Sequence, residues 1–240
     1  MATIAALELI CTFGGNETRD YYYIRWLGVT PAVWDWHLWR PFSATVLHGN
    51  LLHAGFNLMF LSIFGAVLEG WWGSLKYIIA VILVATATGM IQFVLPDVGR
   101  SWNQIGIQGA VGFSGVIYAM FGFLLVARHR HADLYAVCDP QTVQMLLAWA
   151  VICVPLTYFR ILPVANLAHF SGLGFGYLLG KSLYDSKRRP LWFGGLVTAA
   201  LLALTPIFYA PWVTNYRWVK QNPPGAYQDV MRKQNPEFFD

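Results

Sequence analysis

Six apolar runs decide what this chain of 240 residues can become. They cover residues 51–68, 75–95, 111–127, 143–159, 162–183 and 191–210. A hydrocarbon core about 30 Å thick needs roughly 20 apolar residues per spanning helix, and each run approaches that length. Backbone polar groups in lipid must be satisfied within the protein, which a helix does along its own length. The runs therefore predict an all-α, polytopic transmembrane helix bundle. Composition agrees, with 57% apolar and 12% charged residues, where a soluble domain carries about 25% charged. Mean hydropathy is +0.47. The 11 Trp and 12 Tyr suit a bilayer protein, because amphipathic rings gather at membrane interfaces.

The stretches between and around the runs complete the plan. Residues 1–15 are apolar, but at about 1.5 Å per residue they fall short of the bilayer core. They hold Glu8 and no basic leader, so no cleavable signal peptide is expected. "YYYIRWLGVTPAVWDWHLWRPF" is too aromatic for a solvated linker and reads as a loop lying in the interface. The expected organisation is a short apolar segment and aromatic loop over 1–43, a helical core over 44–185, an additional hydrophobic segment over 186–210 and a polar tail over 211–240. Net charge is +4, from 16 basic and 12 acidic residues, an excess that gives no sign of a nucleic-acid partner. Lys76, Arg128, Arg130, Lys181, Lys187, Arg188 and Arg189 gather in short loops, which the positive-inside tendency assigns to the cytoplasm. Cys11, Cys138 and Cys153 have neither metal nor redox spacing.

Polar residues inside apolar runs need a reason, since an unpaired polar group in hydrocarbon costs several kcal/mol. "GFSGVIYA" puts Ser114 between Gly112 and Gly115. One reading makes Ser114 a helix-packing residue in a small-residue patch. The other makes it a nucleophile, for which a histidine is the usual base. "ANLAHFSGLGFGYLLG" supplies His169 ahead of Gly172, Gly176 and Gly180, a stripe that permits close backbone approach. His169 as a satisfied buried histidine and His169 as a base are both open. A helix pressed on the 111–127 run through Gly115 and Ala119 brings His169 toward Ser114. Tyr118, one turn further along, can then stack on the imidazole. "HGNLLHAGFN" adds His53 and Asn57, four apart and on one helix face. They fit an oxyanion-stabilising pair or an interhelical clamp. His48 and His53 are five apart without a carboxylate partner, which speaks against a metal site.

These motifs give the chain its resemblance to the rhomboid intramembrane serine proteases. "LWRPFSATVLHGNLLHAGFN", "GFSGVIYA" and "AHFSGLGFG" occur in the family's order, over about residues 37–183. The resemblance implies a rhomboid-like six-helix core, here with an extra C-terminal helix, and a Ser–His dyad opening outward. It implies Ser114 as nucleophile, His169 as base, and His53 with Asn57 assisting the oxyanion. Trp39 and Arg40 look structural, and Gly112 and Tyr118 support the dyad. No acidic residue lies between Ser114 and Arg128 or between Phe159 and Lys181, so no third catalytic member is expected. Implied too are transmembrane protein substrates, a bilayer surround, no cofactor and a cell (inner) membrane location with the site toward the outer face. The competing expectations are a non-catalytic rhomboid-like protein that binds or remodels membrane proteins and, more weakly, a transporter, although repeated halves are not visible in the sequence.

Overall fold

The computed structural model describes residues 26–29, 33, 36–48, 50–95, 112–162 and 164–208. The opening segment over 1–15 and the tail over 211–240 lie outside the described residues. Every regular element described is helical: α1 (Arg40–Ser43), α2 (Leu51–Trp72), α3 (Ser74–Val94), α4 (Ser114–Ala127), α5 (Ala132–Val137), α6 (Pro140–Tyr158), α7 (Asn166–Tyr184) and α8 (Arg189–Phe208). The expected all-α class is met. Four of these, α2, α3, α6 and α8, are long and apolar enough to cross a membrane.

Local chemistry sets the ends. The Asn50 side chain accepts from the His53 amide at 2.9 Å and starts α2, a standard way to satisfy a first-turn N–H. Asp139 accepts from the Thr142 amide at 2.8 Å, and Pro140 follows it at the first position of α6. A π-helical turn over Leu61–Gly65 interrupts α2. The expected end of that run at 68 is too early: the helix carries Glu69 and continues to Trp72. Gly73, at φ 77°, then turns the chain into α3.

The centre of the bundle is α4. Its residues are apolar on every side, and all but Leu125 and Val126 are buried. A helix that is hydrophobic all round belongs in the core. Its largest contact is with α7. A Cβ added at Gly172 would run into the Gly115 carbonyl oxygen, one at Gly176 into that of Ala119, and one at Gly122 into that of Leu173. Glycine at these points is what lets two backbones meet. Around this seam, α3 supplies Ala85, Thr88 and Gln92, while α2 supplies Leu61, Phe64 and Leu68. The additional helix α8 lies on α7 and α3, where Ala203 packs with Ala87 and Phe175. Its far side, including Leu191, Phe193, Leu201 and Leu202, is exposed. So is most of α6, an apolar surface suited to lipid.

Two expected helix starts shift. The run over 111–127 becomes a helix only at Ser114, because Gly112 stands at φ 75°, outside helical space. Ser114 is thus the first helical residue rather than one turn in. The run over 162–183 becomes α7 from Asn166, after a turn in which Arg160 takes φ 57°. His169 therefore lies in the first turn of α7, not two turns along.

The helix ends sort into two groups. At one end, the Trp71 indole donates to Asp133 at 2.6 Å and its ring meets that of His131 at 4.0 Å. That bond holds the Asp133 carboxyl below its ordinary range. Arg130 reaches the Tyr184 carbonyl there, and the Trp192 indole donates to Asp185 at 3.0 Å. The basic loops share this end. The starts of α2, α4 and α7 share the other.

Candidate active site

The starts of three helices converge on Ser114. On α4, Ser114 sits where Gly112 releases the chain into the helix. On α7, His169 occupies the face of the glycine seam. The seam brings the Ser114 Oγ to 2.8 Å from His169 Nε2. Both residues are buried, at 8% and 4% exposure. For His169 to act as base, Nε2 must accept from the hydroxyl, which places the neutral imidazole's one proton on Nδ1. His169 Nδ1 has no hydrogen-bond partner among the described residues. No carboxylate backs this histidine there either.

What holds the imidazole is a ring. Tyr118 stacks on His169 with centroids 4.5 Å apart and planes 20° apart. The Tyr118 hydroxyl donates to the Leu146 carbonyl at 2.9 Å, which ties α4 to α6. One turn from Ser114, Tyr118 is therefore fixed at its tip and presents its face to the base. Behind the base, Gln92 Oε1 accepts from the Ala168 amide at 3.1 Å. This bond satisfies one of the first-turn N–H groups of α7.

Against Gly112 lie His53 and Asn57 of α2. A Cβ there would stand 2.7 Å from His53 Cε1 and 3.5 Å from Asn57 Nδ2. Glycine is needed at 112 for its positive φ and again for this close approach. Every sequence-predicted site residue is thus brought to one place: Ser114, His169, Tyr118, Gly112, His53 and Asn57. One neighbour in the cluster has no role assigned from sequence. His48 Nε2 lies 2.6 Å from Asn57 Nδ2, and the His48 ring meets His53 edge-on at 4.9 Å. Its only signal in the sequence is its place in the run "HGNLLHAGFN".

The site is recessed. At about 1.5 Å per residue, α2 is about 33 Å long and α4 about 21 Å, from 22 and 14 residues. Both finish at the basic end, where the Trp72 and Phe123 rings meet at 4.9 Å. Ser114 therefore begins about 12 Å, just over two turns, past the start of α2 and not at the helix tips. Trp39 and Arg40 stand apart from this chemistry. Arg40 Nη1 donates to the Gly28 carbonyl at 3.0 Å, and Ser43 Oγ to that of Leu27 at 2.7 Å. With the Trp39 indole, which donates to the Trp26 carbonyl at 3.4 Å, they pin the aromatic loop to α1.

Comparison with known proteins gives the same picture. The family model described as the Rhomboid domain matches residues 35–186. A protein named Rhomboid protease GlpG from Pectobacterium atrosepticum is 31% identical over 181 residues, 75% of this chain and 59% of that protein. One of the same name from Haemophilus influenzae is 30% identical over 156 residues, covering 65% of this chain and 73% of the relative. Another, from Yersinia pseudotuberculosis, is 34% identical over 180 residues, or 71% and 56% of the two chains. This chain thus spans less than two thirds of the Pectobacterium and Yersinia proteins. The matched region holds every residue of the cluster around Ser114, and the chain belongs to the rhomboid family.

Proposed function

We propose that this integral, multi-pass membrane protein is an intramembrane serine endopeptidase that cleaves transmembrane segments of other membrane proteins. The observation that carries the reading is the 2.8 Å pairing of Ser114 with a histidine stacked on Tyr118. A buried serine needs only a packing role to be tolerated, but that role does not require an imidazole acceptor held in place by a ring.

In this reading His169 Nε2 takes the Ser114 proton as Oγ attacks a peptide carbonyl of the substrate. The carbonyl oxygen becomes negative, and donors aimed at it lower the barrier. Asn57, His53 and the Ser114 amide are the groups at hand. His169 then returns the proton to the leaving amine, which departs as the new N-terminus. Water, deprotonated by His169, hydrolyses the acyl-enzyme. With no acidic third member among the described residues, packing on Tyr118 orients the base. Each step is served by side chains of this chain. The gathering of basic residues at the opposite end supports a cell (inner) membrane orientation with Ser114 toward the outer face. The non-catalytic alternative gives no reason for a preformed serine–imidazole bond.

The test uses the purified protein in proteoliposomes with a single-span substrate. Ser114→Ala and His169→Ala should each abolish cleavage and fluorophosphonate labelling of the serine, with folded yields near that of the parent. Alanine is small and helix-favouring, so Ser114→Ala leaves the helix intact. Cleavage at the parent rate in either variant sinks the dyad.

A further inference from the structure

His48 sits in the link between the short turn over Ala44–Val46 and the start of α2, and it is buried. Three groups reach its ring. Nδ1 lies 3.3 Å from the Val46 carbonyl oxygen. Nε2 lies 3.4 Å from the Phe113 amide and 2.6 Å from Asn57 Nδ2. Two of the three are backbone groups whose roles are not negotiable. A carbonyl oxygen only accepts, and an amide N–H only donates. The Val46 side therefore calls for a proton on Nδ1, and the Phe113 side for a bare Nε2. Both demands select the same neutral tautomer.

That tautomer has a consequence for Asn57. A side-chain amide can turn either its oxygen or its nitrogen to a neighbour, and the two ends differ in sign. A bare ring nitrogen accepts the NH2 and repels the carbonyl. One N–H of Asn57 is thereby held by His48. The second remains on the same nitrogen, on the Gly112 side of the site. Turned the other way, Asn57 would offer an acceptor where negative charge is to develop. Phe113 immediately precedes Ser114, so the same ring nitrogen also ties the start of α4 to α2.

We propose that His48 is a positioning residue that fixes the Asn57 amide with its nitrogen toward the reacting carbonyl, and anchors the start of α4 to the same point. The proposal rests on the proteolytic reading above and deepens it: His48 acts through Asn57 and touches no substrate.

A double-mutant cycle between the two residues tests it. His48→Phe keeps a ring but removes the acceptor. Turnover of the single-span substrate should fall about tenfold or more, with KM within about twofold, because the lost interaction belongs to the transition state. In an Asn57→Ala background the same change should cost less than about twofold, since coupled residues are non-additive. Penalties that multiply would overturn the proposal, as would parent-like turnover in His48→Phe. Nitrogen-15 NMR of the histidine-labelled parent protein gives a second reading that does not depend on a variant folding. A protonated Nδ1 and bare Nε2 at His48 are expected, and the opposite tautomer overturns the proposal. Ser114→Ala run alongside separates the two levels. If it still cleaves, the proteolytic reading fails. If it is inert while His48 and Asn57 are additive, only the positioning role fails.

Discussion

The seam between α4 and α7 and the rim formed by α6 are both apolar helical surface, yet they are built differently. In the seam, backbone meets backbone at Gly115, Ala119, Gly172 and Gly176. On α6, only Leu146, Ala150 and Cys153 are buried, and Met145, Val151 and Ile152 are exposed. In a membrane, lipid tails are as apolar as leucine, so hydrophobicity alone does not drive helices together. Tight packing has to be specified by shape, and it is specified where Ser114 must meet His169. The rim is left to lipid, and near the dyad it is tied to the centre by hydrogen bonds from Tyr118 to the Leu146 carbonyl and from Asn166 to Thr157, at 2.9 and 2.8 Å.

The contrast is broken most strongly at Gly172. Gly172→Ala drives a Cβ into the Gly115 carbonyl beside Ser114. Overpacking of this kind costs up to about 3 kcal/mol, and a displacement of about 1 Å at a reacting pair can cost about 10²-fold in rate. Gly174→Ala, on the same helix, has nothing within 4 Å of the added carbon. It should leave melting temperature and turnover at or slightly above parent values, since alanine is the better helix former by about 1 kcal/mol. Equal behaviour of the two variants in a paired melting and cleavage assay would refute the seam as the determinant.

Tyr118→Phe probes one link between the two regions. It removes the bond to α6 and retains the ring against His169. We expect a stability loss of about 1 kcal/mol, and turnover per folded molecule within about threefold of the parent because the stacked pair persists. A far larger loss of turnover at unchanged stability would mean that the hydroxyl, not the ring face, serves the base. The smallest effect belongs to the rim itself. Val151 is 66% exposed, and Val151→Ala should change stability by less than about 0.5 kcal/mol, read as an unchanged melting temperature in the same detergent.

Much of the site is legible in the sequence because it depends on helical spacing. Gly172, Gly176 and Gly180 recur every fourth residue, so they must share a face, and His169 shares it. Tyr118 follows Ser114 by one turn, which places its ring below the nucleophile. What is not legible depends on backbone outside helices. The positive φ of Gly112 decides that α4 starts at Ser114, and no periodicity reports a single dihedral. His48 lies ahead of the Asn50 cap, in a non-helical link, so the helical period that relates His53 to Asn57 does not reach it. Gln92 and the Ala168 amide are 76 residues apart, a pairing set only by how α3 leans on α7. Residue types and spacings thus foretell partners along a helix, and the turns between helices decide the rest.

The late start of α4 has an electrostatic side. A helix carries about half a positive elementary charge at its N-terminus, where the first amides have no partners within the helix. Gly112 sets that terminus at Ser114, in buried surroundings of low polarisability where a partial charge is felt strongly. The alkoxide and the tetrahedral oxyanion of the proposed reaction would both form at this pole. A single left-handed glycine thereby sets the depth at which the protein's own field favours negative charge.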